Sequence, residues 1–245
     1  MQKQIIILAA GKGSRMKSNL PKVMHEVGGK PMLQMVLDNA YAVTNDIILV
    51  YSDHIAEYLP IFKNKCKFAL QEEQLGTAHA VWVANSLINH SIQNAVIYGD
   101  NPLITSSIIT ELFDHLEFSK AEIAALVFEH EEPNEYGRII VDEKGEFKKI
   151  VEFKVANDLE KKIKLCNSGI MAFAPGVLEK YLPACLDQSL EHSVQELYLT
   201  QIIEICSKAG EKVTYYTSNN HQLVIGVNTQ QELEIANKII ANQPF

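Results

Sequence analysis

Short apolar runs alternate along the chain with longer stretches whose apolar positions recur every three or four residues. Residues 5–9 form an unbroken aliphatic run that stops at a glycine loop, the mark of a strand buried on both faces. Residues 32–43 carry Leu33, Val36, Leu37 and Ala40 at helical spacing behind Pro31, which suits a first helical turn. The same reading puts strands at 46–51, 66–70, 95–98 and 121–128, with helices at 77–87 and 105–116. Strands alternating with helices predict an α/β fold built on a mostly parallel sheet. The period then changes. Residues 138–141 and 147–153 flank the turn Asp142-Glu143-Lys144-Gly145, which reads as an inserted β-hairpin. Further strands are expected at 165–173, 212–217 and 223–227. Two later helices are signalled by the capping boxes Ser193-Val194-Gln195-Glu196 and Thr229-Gln230-Gln231-Glu232, in which a hydroxyl and a glutamate three residues on satisfy free amides reciprocally.

Composition narrows the partners. The 245 residues are 47% hydrophobic and 21% charged, ordinary values for a globular chain. A net charge of −8 argues against a nucleic-acid partner, which requires basic density. It leaves room for a small anionic substrate held by a few local cations. No apolar run reaches the roughly 18 residues of a membrane span, so no membrane partner is expected. The apolar stretch at the amino terminus is short for a signal peptide and runs into Gly11-Lys12-Gly13 instead of a cleavage site. A buried first strand and a cytoplasmic protein are expected. Cys66, Cys166, Cys185 and Cys206 form no CxxC pair and read as reduced core thiols.

Candidate chemistry begins at Leu8-Ala9-Ala10-Gly11-Lys12-Gly13-Ser14-Arg15-Met16. Small residues let a ligand approach the backbone, and successive amides can cradle an anion. Met16 stands where both a dinucleotide fingerprint and a Walker A loop require glycine, so neither fits. A plain tight turn is the competing reading. Arg15 and the Pro21-Lys22 pair favour a polyphosphate: a guanidinium forks one phosphate and an ammonium serves as a point charge. Downstream, Gln71 offers a planar amide to a base edge and Gly76 permits close backbone approach, although Thr77 would equally serve as a helix cap. His79 has no metal partner at usable spacing and reads as structural. Asp100 follows Tyr98-Gly99 at a strand end, where open α/β sheets bind ligands. One carboxylate plus substrate phosphates would be adequate for magnesium.

Together these blocks resemble the nucleotide-sugar pyrophosphorylases, and in particular the uridyltransferase domains of the bacterial bifunctional N-acetylglucosamine-1-phosphate uridyltransferase/glucosamine-1-phosphate acetyltransferases. Matching blocks run from Leu8 to Asn228. The resemblance implies a Rossmann-like, mostly parallel mixed sheet flanked by helices, with the hairpin region inserted. It implies a single domain over 1–245, with a nucleotide-binding part at about 1–120, a sugar-binding part at about 121–228 and a carboxyl-terminal helix at about 229–241. It makes Arg15 and Lys22 catalytic. It places Leu8, Ala9, Ala10, Gly11, Gly13 and Lys22 around the triphosphate, Gln71 and Gly76 on uracil, Thr77 beside the nucleotide, and Tyr98, Gly99 and Asp100 among the substrate-binding residues. Magnesium would lie on Asp100 and Asn228. On the sugar side, Gly137 would offer backbone, Glu152 would accept from hydroxyls and Asn167 would contact the sugar. From sequence alone Glu152 and Lys154 equally read as one polar face of a hairpin strand.

The implied reaction joins UTP and N-acetylglucosamine 1-phosphate into UDP-N-acetylglucosamine, releasing pyrophosphate. Several positions depart from the resembled pattern: Asn101 replaces an apolar residue or threonine, Phe153 a histidine, Val155 a small or acidic residue, Gln201 an aspartate, and Thr229-Gln230 an Asn/Asp-Arg pair. Most lie on the sugar and late-chain side. A different sugar 1-phosphate or nucleotide, or a binding protein without turnover, is therefore the alternative. Hexapeptide repeats are not seen, so no acetyltransferase activity is expected, and a monomer or weak oligomer is expected in place of a trimer.

Overall fold

The structure is a computed structural model that describes residues 1–130, 135–191 and 196–242, with only the backbone described for 188–191. In chain order the elements are β1 (Lys3–Leu8), β2 (Glu26–Val27), β3 (Lys30–Pro31), α1 (Met32–Tyr41), β4 (Ile47–Tyr51), β5 (Lys67–Leu70), α2 (Thr77–Val83), β6 (Gln93–Tyr98), α3 (Ser106–Ser119) and β7 (Ile123–Glu129). They continue with β8 (Arg138–Val141), β9 (Phe147–Val151), β10 (Leu165–Phe173), α4 (Val177–Glu191), α5 (Gln201–Lys208), β11 (Val213–Thr217) and α6 (Gln230–Asn242). Short 3-10 turns at Ser14–Met16 and Lys22–Met24 follow β1.

Among the described residues nine strands form one sheet, in the order β11-β7-β10-β6-β1-β4-β5, with the β8–β9 hairpin attached to β10. β1 runs parallel to β6 and β4, β4 to β5, and β11 to β7. β10 is antiparallel to both neighbours, so the start of β10 lies at the same sheet edge as the ends of β6 and β7. This is the mixed, mostly parallel sheet expected from the sequence. Strand alternation sends Ile5 and Ile7 to one face, against Leu33, Val36, Leu37, Leu112 and Phe113 of α1 and α3. Ile6 and Leu8 go to the other, against Ala78, Val81, Leu178, Leu182, Ile202 and Ile203 of α2, α4 and α5. Burial on both faces explains the continuous apolar runs. A smaller cluster of Val27, Met32, Leu103, Val227 and Ala236 seats α6.

The chain passes from β1 to β4 and β5 on one side, then returns to β6 on the other. The carboxyl ends of β1 and β6 thus flank a topological switch point, where ligands of open α/β sheets collect.

Three expectations are corrected. Residues 223–227 form no strand. Val224 and Val227 are buried, but single bonds hold the segment: Asn101 Nδ2 donates to the Val224 carbonyl at 3.0 Å and Val227 N to the Asp100 carbonyl at 2.8 Å. The helix expected from the first capping box is α5, which starts at Gln201. Ser193 lies outside the described residues, and Glu196 accepts from the Tyr198 hydroxyl at 2.9 Å, ahead of that helix. The third is α4, absent from the pattern reading because Pro183 stands in its middle, where proline argues against helix.

Cys166, Cys185 and Cys206 are buried and Cys66 is partly buried. Burial raises the Cys185 and Cys206 thiols to about 12, so they stay protonated at neutral pH. Among the described residues no helix is long and apolar enough to cross a membrane.

Candidate active site

The phosphate side is assembled from β1, β6 and the segment before α6. Ala9 continues past β1 by donating its amide to the Val50 carbonyl at 2.8 Å, and Gly99 N donates to Leu8 O at 2.9 Å. A Cβ on Gly99 would lie 3.1 Å from Ala9 Cβ; small residues at both places let the two strand ends close together. Beyond them the loop turns at Gly13, whose φ of +62° is left-handed, and a Cβ there would sit 2.5 Å from Lys22 Cβ. Glycine at 13 is what allows Lys22 to lie across the loop. Met16 is buried and donates its amide to the Gly13 carbonyl at 3.0 Å. The residue that broke both nucleotide motifs is thus an apolar anchor for the loop.

Lys22 Nζ donates to Asp100 Oδ2 and, at 3.1 Å, to Asn228 Oδ1. Three residues far apart in sequence meet there, with the Lys22 and Asp100 side chains only 12% and 16% exposed. The ammonium marks a position where a carboxylate and a neutral amide oxygen converge on one cation. Both are hard oxygen donors, the chemistry magnesium prefers, so the residues present fit such an ion. Arg15 stands outside this group. Its side chain is 63% exposed and pairs with the exposed Glu135 at 3.9 Å.

The expected base side surrounds the loop between β5 and α2. Gln71 is buried. Its Nε2 lies 3.1 Å from the Gly76 carbonyl and 3.2 Å from His79 Nδ1, which turns the carboxamide oxygen into the group available to a base N–H. His79 therefore has a use beyond filling space: it orients Gln71. Gly76 has φ +123°, and a Cβ there would meet Leu197 N and O at 2.5 and 2.4 Å. The contact is backbone on backbone, continued by Leu197 N to Leu75 O at 2.8 Å and Ala78 N to Leu197 O at 2.9 Å. Thr77 does not cap α2, whose N-cap is Gly76. Its hydroxyl accepts from Leu199 N at 2.8 Å.

The expected sugar side faces Tyr98. Burial, then the charges of Glu152 and Asp100, hold the Tyr98 phenol well above its usual range, so it remains a donor. Gly169, at φ +88°, lets the Tyr98 ring rest on the bend of β10, since a Cβ would lie 2.8 Å from Tyr98 Cε2. In that bend Asn167 Oδ1 accepts from Gly169 N at 3.0 Å. Gly137 passes its carbonyl to Asn167 N at 2.9 Å, and a Cβ on it would sit 3.5 Å from Glu152 Oε2. Glu152, Gly137 and Asn167 are thus brought together. The Glu152 carboxyl is raised by burial, with Thr200 Oγ1 donating to its Oε1 at 2.8 Å and opposing the shift. Phe153 holds its ring against Arg138 and Lys161, whose Cζ and Nζ lie 5.2 and 5.5 Å from its centroid.

Sequence reading missed Thr200 behind Glu152, His79 behind Gln71, and Asn101 and Glu232 around Asn228. It also missed Gln230, whose Nε2 donates to the Met16 carbonyl at 3.1 Å and ties α6 to the phosphate loop. Asn101 and Gln230 stand out only as departures from the resembled pattern, His79 only as a structural residue, and Glu232 only through its capping box. Thr200 depends on a contact between distant segments.

With a glycine loop after β1 and the Lys22 ammonium held between the Asp100 and Asn228 oxygens at the end of β6, the chain is a nucleotidyltransferase by family. The chain belongs to the family described as the MobA-like NTP transferase domain, which matches residues 5–223. Among curated relatives it is 39% identical over 239 residues to the bifunctional protein GlmU of Desulfotalea psychrophila, covering 96% of this chain and 69% of that protein. It is 41% identical over 241 residues to GlmU of Lactococcus lactis subsp. cremoris, covering 96% of this chain and 51% of that one. The chain spans about half to two thirds of the length of these relatives. In fold it resembles a Bacillus anthracis protein assigned as a glucose-1-phosphate thymidylyltransferase and solved with sucrose, at a TM-score of 0.75 and 19% identity, covering all of this chain and 97% of the other.

Proposed function

We propose that this chain is a nucleotidyltransferase unit that makes UDP-N-acetylglucosamine and pyrophosphate from UTP and N-acetylglucosamine 1-phosphate. The observation that carries the reading is the convergence of Lys22, Asp100 and Asn228 beside the Gly11–Gly13 turn. The curated relatives named GlmU support the substrate class.

The sugar phosphate oxygen forms a bond to the α-phosphorus while the bond to the departing pyrophosphate breaks in line. The nucleophile is already an anion, so the protein need not remove a proton. Positioning and charge neutralisation supply the catalysis. Leu8 to Gly13 present small residues and backbone amides to the triphosphate. Arg15, exposed and loosely paired, turns from Glu135 onto the β- and γ-phosphates. Lys22 neutralises charge developing around the α-phosphate. Asp100 and Asn228 would hold magnesium, which when bound supplies a second centre of positive charge to the phosphates. Gln71 Oε1 accepts from the uracil imide and the Gly76 backbone packs along the base. Tyr98 donates across the crevice, while Glu152, Gly137 and Asn167 bind the sugar. Lys22→Ala and Asp100→Ala should each lower kcat by about 100-fold or more and leave near-UV circular dichroism intact. Near-wild-type turnover in either variant overturns the assignment.

A second reading keeps the reaction and changes the sugar. Phe153, clasped by Arg138 and Lys161, presents an aromatic body beside Glu152 where relatives of the resembled type carry histidine.

A further inference from the structure

We infer that Asn101 and Glu232 are positioning residues for the cation end of the site, acting through Asn228. The inference rests on the reading above, in which Asn228 supplies an oxygen to a divalent cation.

Asn228 belongs to no strand or helix. An irregular segment carries it, so its aim depends on what fastens that segment at either end. At the upstream end Asn101 is only 2% exposed. Its Nδ2 donates to the Val224 carbonyl at 3.0 Å. An apolar residue at 101 would leave that carbonyl without this partner, and a buried polar group is costly to leave unsatisfied. Close by, Val227 N donates to the Asp100 carbonyl at 2.8 Å, and a Cβ on Gly226 would sit 3.5 Å from Asp100 Oδ1. These contacts draw the segment against the residue that offers the charged oxygen.

At the downstream end the capping-box carboxylate of α6 does more than satisfy its own helix. Glu232 Oε2 accepts from Thr229 N at 2.8 Å, as a capping box requires, and also from Asn228 N at 2.7 Å. The Thr229 hydroxyl completes the box by accepting from Glu232 N at 3.2 Å. The Asn228 side chain is then oriented by Nδ2 donating to the Gly226 carbonyl at 3.4 Å, which leaves Oδ1 towards Lys22 Nζ and Asp100. These bonds of Asn101 and Glu232 go to the backbone of 224–229 and not to Lys22 Nζ or the Asp100 and Asn228 side-chain oxygens. They fix the backbone on both sides of the Asn228 side chain. Ligands held this way are sensitive to the loss of their supporting hydrogen bonds.

The test uses manganese(II) as the probe, with its affinity read by water-proton relaxation on the whole chain without nucleotide. Asn101→Val and Glu232→Ala should each weaken manganese binding about five- to tenfold, within the range for lost supporting contacts or below it. Glu232→Gln keeps an acceptor oxygen and should stay within twofold of wild type. In an Asn228→Ala background neither Asn101→Val nor Glu232→Ala should weaken binding further, because both act through Asn228. A fall in thermal stability with unchanged manganese affinity makes the two residues structural only and overturns the inference. So does full additivity with Asn228→Ala. Absence of saturable manganese binding in the wild-type chain overturns the cation site itself and this inference with it. If Asn101→Val does not fold, the Glu232→Ala and Glu232→Gln variants decide alone.

Discussion

Glu152 carries two requirements that pull against each other. Its burial raises the carboxyl above its ordinary range, with Thr200 and Lys154 opposing and Glu196 adding to the shift, whereas the proposed contact to sugar hydroxyls is strongest with the ionised carboxylate, whose two oxygens only accept. A carboxyl whose folded value is raised contributes stability that is present below the unfolded value of about 4.3 and lost as pH rises through the folded one. Ionisation across that window costs stability and strengthens the acceptor. KM for the sugar phosphate should therefore fall as pH rises through it. Glu152→Gln should remove that limb while raising KM at neutral pH. The substrate phosphate itself ionises near pH 6, so steady-state kinetics are compared between the two enzymes at each pH. Coincident profiles would place Glu152 outside the sugar contact.

At the scale of elements, the loop entering α2 shows how backbone packing sets the base side. Gly76 lies against the Leu197 backbone, with φ in the left-handed half of the map. Gly76→Ala should cost roughly 2–4 kcal/mol in chemical denaturation and weaken nucleotide binding, because the strand-like contact to 197–199 must open. A loss below 0.5 kcal/mol would mean the loop adapts freely. The same elements show what a sequence can disclose. Residues 5–9 were legible because a strand buried on both faces leaves a continuous apolar run. The Thr229–Glu232 box was legible because capping is local. Residues 223–227 carry the same apolar signature and form no strand, since Asn101 and Asp100 hold the segment through single bonds that no periodicity encodes. Gln71, Gly76 and Asp100 could be singled out by residue type and spacing. The Leu197 backbone that packs on Gly76 is contributed from elsewhere in the chain, and the contact of His79 with Gln71 is one that residue type alone does not disclose.

At the scale of the molecule, an acidic chain is read as handling anionic substrates. The sheet makes that reasonable. Its parallel strands end at one edge, β1 and β6 flank the topological switch point there, where open α/β sheets bind ligands, and β10 runs back to bring the Asn167–Gly169 bend to the same place. Lys22 and Arg15 supply positive charge locally, so the net charge of −8 is no obstacle. The central claim is transfer of a nucleotidyl group, and pyrophosphate release measures it most directly. With UTP, magnesium and N-acetylglucosamine 1-phosphate, the account predicts one pyrophosphate for each UDP-sugar formed. UTP should exceed ATP, GTP and dTTP, and release should depend on the sugar phosphate. Binding of the UDP-sugar without any pyrophosphate release, or a clear preference for a nucleotide other than UTP, would contradict it.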